Sequence, residues 1–252
     1  MRFDVITLFP DIFQVLQHGV TRRALDRGSM QLHCWNPRDF AQGAYRRVDD
    51  RPFGGGPGMV MLAEPLAACL QAIRAQRGED RSQAPLIYFS PMGQAMQQSM
   101  VSEWAASSRG AVLLCGRYEG VDQRFIDLHV DWQISLGDFV LSGGEIPALA
   151  WLDAVARLQE GVLHDAQSHA QDSFSVAWDG LLDHPHYTRP EVWQGQAVPE
   201  TLLSGHHGEI DQWRRAQRLR WTARHRPDLL EKARSAGLIT ASDEKILGSS
   251  DP

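Results

Sequence analysis

Leu136-Gly137-Asp138-Phe139-Val140-Leu141-Ser142-Gly143-Gly144-Glu145 continues a short apolar run, turns through glycines and leads into a helical pattern. Leu113-Leu114-Cys115-Gly116-Arg117-Tyr118-Glu119-Gly120 is built the same way a little upstream. Glycine lets backbone amides and carbonyls come close to a ligand. Two such loops in succession suggest a pocket lined mainly by backbone, suited to a small cofactor with an apolar body and a charged end. Neither stretch fits G-x-G-x-x-G or G-x-x-x-x-G-K-[ST], which argues against a Rossmann dinucleotide site and a P-loop.

Working outward, strand-like runs fall at Phe3–Leu8, Met30–Trp35, Pro85–Phe89, Ala111–Cys115 and Asp131–Leu136, each bounded by Gly, Pro or polar residues. Helical spacing of apolar residues lies between them, at Glu64–Arg77, Gln94–Ser107 and Ile146–Leu158. Alternation of this kind predicts an α/β domain with a mostly parallel sheet, here over residues 1–161. After Gly161 the pattern changes. Residues 162–175 are polar and weakly patterned and read as a linker. From Val176 onward strand signals stop, and helices are expected at Glu209–His225 and Pro227–Ala236, the latter stopped by Gly237. A small helical domain is therefore expected over 176–252, with a frayed tail from Gly248 to Pro252.

Composition narrows the class. The chain has 252 residues, 43% of them hydrophobic, which suffices for a substantial core. It has no apolar run of about 18 residues, so no membrane span is expected. The N-terminal Met1–Leu8 reads as a first buried strand rather than a signal peptide. Cys34, Cys69 and Cys115 are odd in number and far apart, which supports neither a disulfide framework nor a zinc ribbon and points to the reducing cytoplasm. Net charge is −6, against a nonspecific nucleic-acid coat. A local basic stretch exists nonetheless: Arg214, Arg215, Arg218, Arg220, Arg224 and Arg226, beside Trp213, Trp221 and His225. Such clustering serves phosphate contacts, and it equally describes a solvated helix face.

In an open parallel sheet, ligands bind beyond the C-terminal ends of the strands. Tyr88-Phe89-Ser90-Pro91, Gly116–Gly120 and Leu136–Gly144 all fall at such ends, and three loops converging on one rim make a stronger signal than any one. The glycine-dense Arg51–Met59 loop could clamp a base or its phosphates, or be a mobile surface loop. Glu119 could meet a cation or a ligand's hydroxyl or amine. Asp172, in the linker, reads as a turn residue or helix cap, and Arg157 as a partner of its helix's C-terminal dipole. His206-His207 lacks a spaced third ligand and reads as a loop before a helix.

At this point the chain resembles a known family, the bacterial tRNA (guanine-37-N1) methyltransferases, which are S-adenosylmethionine-dependent enzymes of the knotted class. The resemblance runs through nearly the whole chain. It is carried by Ile6-Thr7-Leu8-Phe9-Pro10, Asp50-Arg51-Pro52-Phe53-Gly54-Gly55-Gly56-Pro57-Gly58-Met59, Cys115–Asp122, Gly137–Glu145, Pro185-His186-Tyr187-Thr188-Arg189-Pro190 and Leu203-Ser204-Gly205-His206-His207. Two departures occur: Gln171 stands before Asp172 where the family commonly has an acidic residue, and Phe139 stands where Tyr is frequent.

The resemblance implies a deep trefoil knot in the α/β domain and an obligate homodimer with composite active sites. It implies that S-adenosylmethionine is held by Tyr88, Phe89, Ser90, Pro91, Gly116, Tyr118, Glu119, Gly120, Ser135, Leu136, Gly137, Phe139, Leu141, Gly143, Gly144 and Pro147. Asp172 matches the general base that takes the proton from guanine N1, and Arg157 the cation that stabilises charge on O6. Glu119 matches a position tied to the donor and to Mg²⁺. For tRNA, the expected contacts are Gly55, Gly56, Pro57, Gly58, Met59, Arg189, His206, Arg214, Arg215 and Arg218. A flipped guanine beside the anticodon is the expected target. A catalytically silent RNA-binding scaffold and a knotted methyltransferase for another RNA are the competing readings. Glu119, Arg157 and Asp172 together weigh against the first, and the Asp-Arg-Pro-Phe-Gly and Gly-His-His motifs against the second.

Overall fold

Phe3, Val5 and Ile6 have no exposed surface, which makes the first strand, β1 (Arg2–Ile6), an interior strand. In the computed structural model, which describes residues 1–78, 84–163 and 172–249, β1 lies between β2 (Gln31–Trp35) and a later strand. The short pair β3 (Asp49–Asp50) and β4 (Val60–Met61) forms a separate antiparallel ribbon. The main sheet is completed by β5 (Leu86–Ala95), β6 (Ala111–Leu114) and β7 (Trp132–Ser135), in the order β2-β1-β6-β5-β7, with every pairing parallel. The α/β parallel sheet expected from the alternation is thus present.

Side chains of the strands alternate strictly between two cores, as the period of two requires. Phe3, Val5, Ile87, Phe89, Ala111 and Leu113 face one side, where α1 (Gly19–Asp26), α3 (Gln98–Ser107) and α5 (Glu145–Ala156) add Ala24, Trp104, Trp151 and Val155. Ile6, Leu86, Tyr88, Val112 and Leu114 face the other, where α2 (Ala63–Arg77) and α4 (Gln123–His129) add Leu66, Leu70, Ile73 and Phe125. Helices on both faces explain why the strands read as near-continuous apolar runs. Asp4 breaks the run. It is fully buried, and Arg77 at 2.6 Å and Trp35 Nε1 at 2.8 Å satisfy its carboxylate.

One boundary moves. The helix expected from Gln94 begins at Gln98, because β5 does not end at Phe89. The chain bulges through Ser90–Gly93 and rejoins β7, pairing Gln94 with Ile134 and Ala95 with Ser135. That bulge lifts Ser90 and Pro91 to the rim of the sheet.

The chain divides into two compact units, Met1–His164 and Asp165–Pro252, a division that falls inside the stretch read as linker. Gln171 lies outside the described residues. The second unit holds the ribbon β8 (Val192–Trp193) and β9 (Gln196–Ala197), then α6 (Glu200–Leu203), α7 (His207–His225), α8 (Pro227–Ser235) and α9 (Ala241–Gly248). Its core is small, formed by Leu181, Leu219, Leu230 and Ala233. Helix α9 is started by a capping box of Thr240 and Asp243, and it takes in Gly248, the first residue of the expected frayed tail. Among the described residues no helix is long and apolar enough to cross a membrane.

Candidate functional site

The bulge of β5 and the loops after β6 and β7 close around one cavity of about 240 Å³ at the rim of the sheet. All sixteen residues expected to hold the donor line it, from Tyr88–Pro91 through Gly116–Gly120 and Ser135–Gly144 to Pro147. Arg117, Ile134, Val140 and Ser142 line it as well and were not singled out by the sequence. Ser135 Oγ lies 3.2 Å from both the amide nitrogen and the carbonyl oxygen of Gly137, which fixes the start of the third loop. Tyr88 is buried beneath the floor, where burial raises its phenol pKa and keeps it neutral.

Two loops touch directly. The Gly144 amide donates to the Gly116 carbonyl at 3.0 Å. A Cβ on Gly144 would stand 2.7 Å from Cys115 Cα and 3.1 Å from the Gly116 nitrogen. The glycine is therefore required by the approach of two backbones, whereas the sequence suggested approach of backbone to ligand.

A buried ion pair ties the rim together. Glu145, 1% exposed at the start of α5, accepts from Thr7 Oγ1 at 2.9 Å and lies 2.9 Å from Arg117 Nε. Arg117 also donates to the Ser142 carbonyl at 3.1 Å and stacks over Phe9 at 4.5 Å. One guanidinium thus joins the end of β1 to the second and third cavity loops. A carboxylate this buried is tolerated because its partners replace water.

The glycine-dense loop runs to the same place. Met59 O accepts from the Glu119 amide at 2.9 Å, and Gly120 O from the Met61 amide at 2.9 Å. Gly58, at φ +79, packs so closely on Glu119 that a Cβ would overlap its carboxylate. Gly55, Gly56, Pro57 and Gly58 are exposed, and Gly58 stands beside Glu119, itself exposed at the rim. Tyr118 adopts φ +61, a strained value for a non-glycine residue.

The remaining candidates are carried by other elements of the two units. Arg157 is the C-cap residue of α5, in the first unit. Asp172 opens the second unit's described residues, and its carbonyl accepts from the Ser175 amide at 3.2 Å. Arg189 is exposed, and His206 is the exposed N-cap residue of α7. The six arginines of the basic stretch do not form one face. Arg215 bonds Asp179 at 2.6 Å and Asp243 at 3.0 Å, and its guanidinium holds the Asp243 carboxyl down at about 2. Arg218 is 4% exposed and lies flat on Trp178, 3.6 Å from the ring centroid. Arg215, expected at the tRNA surface, is thus engaged by Asp179 and Asp243, and Arg218, expected there too, is buried against Trp178. Arg214 is 42% exposed with Asp211 at 3.6 Å, and Arg224 is exposed.

With this geometry in hand, comparison with known proteins is decisive. The family described as tRNA (Guanine-1)-methyltransferase TrmD matches residues 1–232. The chain belongs to this tRNA (guanine-1)-methyltransferase family. It is 68% identical over 249 residues to the tRNA (guanine-N(1)-)-methyltransferase of Paracidovorax citrulli, covering 98% of this chain and 97% of that one. The similarly named protein of Polaromonas sp. is 64% identical over 249 residues, covering 98% and 96%. That of Janthinobacterium sp. is 57% identical over 251 residues, covering 99% of each. Membership makes the chain a methyltransferase acting on tRNA guanine, and S-adenosylmethionine is the methyl donor such a family implies. The family's knotted α/β class accords with the five-stranded parallel sheet.

Proposed function

We propose that the protein transfers a methyl group from S-adenosylmethionine to N1 of guanine 37 in tRNA, with the donor seated in the cavity formed by the three rim loops. The observation that carries the placement is the gathering of Tyr88–Pro91, Gly116–Gly120 and Ser135–Gly144 on one cavity. A trefoil threading of this region belongs to the same reading and is supported by family membership.

The chemistry asks for two groups at the guanine. Asp172 removes the N1 proton as N1 attacks the sulfonium methyl and the carbon–sulfur bond breaks. Arg157 stabilises the negative charge that moves toward O6. Arg117 and Glu145 act indirectly, by holding the second and third loops in register. Glu119 suits Mg²⁺, a hard cation that takes carboxylate and water oxygens, and such an ion would offset negative charge at the cavity's lip.

The cavity lies in the first unit and Asp172 in the second. In a homodimer with composite sites, each cavity meets the Asp172 of the partner. Support comes from exposed apolar side chains on neighbouring segments: Phe9, Ile12 and Val15 around residues 10–17, and Ile146 on α5, which packs against that segment. The second unit grips tRNA phosphates through Arg189, Arg214 and Arg224. Free cysteines at 34, 69 and 115 suit the cytoplasm, where tRNA is modified.

Calorimetry with S-adenosylmethionine tests the placement. One donor is expected per chain. Arg117→Met should weaken it roughly tenfold, the scale of removing one charged hydrogen bond from a preorganised site, while Arg117→Lys recovers part of the affinity. Unaltered affinity in Arg117→Met would show that the clamp does not shape the donor site.

The arginine assignment has its own test. Arg214→Ala with Arg224→Ala should lower the log–log salt slope of tRNA binding by about 0.7–0.9 for each phosphate no longer neutralised. Arg218→Ala should instead cost stability, on the order of 1–2 kcal/mol, because it removes the stacking on Trp178. An unchanged slope in the double variant would move the RNA grip elsewhere.

A further inference from the structure

Outside the cavity, one short segment of the second unit gathers metal-binding side chains. Asp183, His184 and His186 each offer one ligand atom, all within 4.8 Å of one another. The backbone beneath them is fastened. The Leu182 amide donates to Thr222 Oγ1 of α7 at 3.0 Å, and the Asp183 amide donates to Ser173 Oγ at 2.9 Å. Neighbouring Leu181 is fully buried in the unit's core. This is an anchored turn, so three ligand atoms converge with little further ordering.

His184 already presents a ligand nitrogen, whereas His186 Nε2, hydrogen-bonded to Asp183 Oδ2 at 2.9 Å, gives up its proton when an ion binds. His184 Nδ1 lies 3.1 Å from the Pro185 carbonyl, an acceptor that places the ring proton on Nδ1 and leaves the Nε2 lone pair free. That Nε2 is 3.8 Å from Asp183 Oδ1, and His186 Nε2 is 2.9 Å from Asp183 Oδ2. The two imidazole rings stand 4.5 Å apart, with Trp213 at 6.3 Å from His184. Bonds of about 2.0–2.1 Å in a tetrahedron separate ligand atoms by roughly 3.3 Å. The ligand atoms lie within 4.8 Å of one another, so small side-chain shifts bring one Asp183 oxygen and the two imidazoles to that spacing.

We propose that Asp183, His184 and His186 form a binding site for a zinc-class divalent ion. Two imidazoles and one carboxylate suit Zn²⁺ or Co²⁺, whereas Mg²⁺ and Ca²⁺ prefer an all-oxygen shell. The site is therefore separate in kind from any magnesium site at Glu119. Three protein ligands leave a fourth position for water. The Asp183 amide is bonded to Ser173, the residue after Asp172, so an ion here also steadies the arc that begins at Asp172. The binding itself does not depend on the assignment of Asp172 to chemistry.

The test uses the full chain stripped with chelator and titrated with Co²⁺ by visible absorption, then with Zn²⁺ by calorimetry. One ion per chain is expected, with tetrahedral cobalt bands and no displacement by excess Mg²⁺. His186→Ala and His184→Ala should each weaken binding roughly 10–100-fold, and His207→Ala should not. The His186 side chain is 71% exposed, so its removal does not threaten folding. Amide exchange should slow across residues 173–184 when Zn²⁺ is added. Equal Zn²⁺ affinity in the parent and His186→Ala chains, or binding that never saturates, would overturn the proposal.

Discussion

Asp172→Asn is expected to slow methyl transfer by roughly 10²–10⁴-fold, the usual worth of a positioned general base. Guanine N1 carries a proton at neutral pH and attacks poorly until that proton leaves. Asparagine keeps the shape of aspartate but cannot accept it. The donor cavity is built entirely from residues 88–147, in the other unit, so S-adenosylmethionine affinity should be unaltered. Single-turnover kinetics paired with calorimetry separate the two effects. A rate within a few-fold of the parent would remove Asp172 from the chemistry. A parallel fall in donor affinity would make it a structural residue instead.

The second large effect is restoration of activity by mixing two dead proteins. Gly144→Val should abolish donor binding, because the new Cβ would press on Cys115 Cα at 2.7 Å and force the second and third loops apart. In a heterodimer of Gly144→Val and Asp172→Asn chains, one composite site has an intact cavity from one chain and an intact Asp172 from the other. Its rate should reach about half that of the parental dimer, one site of two being whole. Overpacking of this kind also costs about 1–3 kcal/mol of stability, so gel filtration and a melting curve must first confirm folded heterodimers. Persistent inactivity in verified heterodimers would favour sites built within single chains.

The strands and the rim loops were legible in the sequence because their signals are local. Alternating apolar runs with glycine turns pointed to the sheet, and the position of the turns at strand ends pointed to the cavity's lining. What escaped depends on distant pairing. Thr7 and Glu145 are 138 residues apart, and no local pattern announces that one will donate to the other. Arg117 stood within a quoted motif, yet its role emerges only when Glu145, Ser142 and Phe9 surround it. Helices α1 and α4, of eight and seven residues, are too short for their periodicity to stand out. The arginine stretch misled in the opposite direction. Composition counts charges but not their partners, and Arg215 and Arg218 are taken up by Asp179, Asp243 and Trp178. Gly144 lines the cavity, and the crowding a Cβ would meet there, from Cys115 and Gly116, comes from backbone distant in sequence.

Methylation at N1 of guanine 37 is tested most directly on the RNA product. Unmodified tRNAs differing only in G or A at position 37 are incubated with the protein and S-adenosylmethionine, and the products are mapped by nucleoside mass spectrometry. The account predicts 1-methylguanosine at position 37 of the first tRNA and no methylation of the second. A methyl group at another position would point to a different RNA target for the same scaffold, and none in either tRNA, with donor and tRNA both bound, would make the protein a silent RNA-binding scaffold.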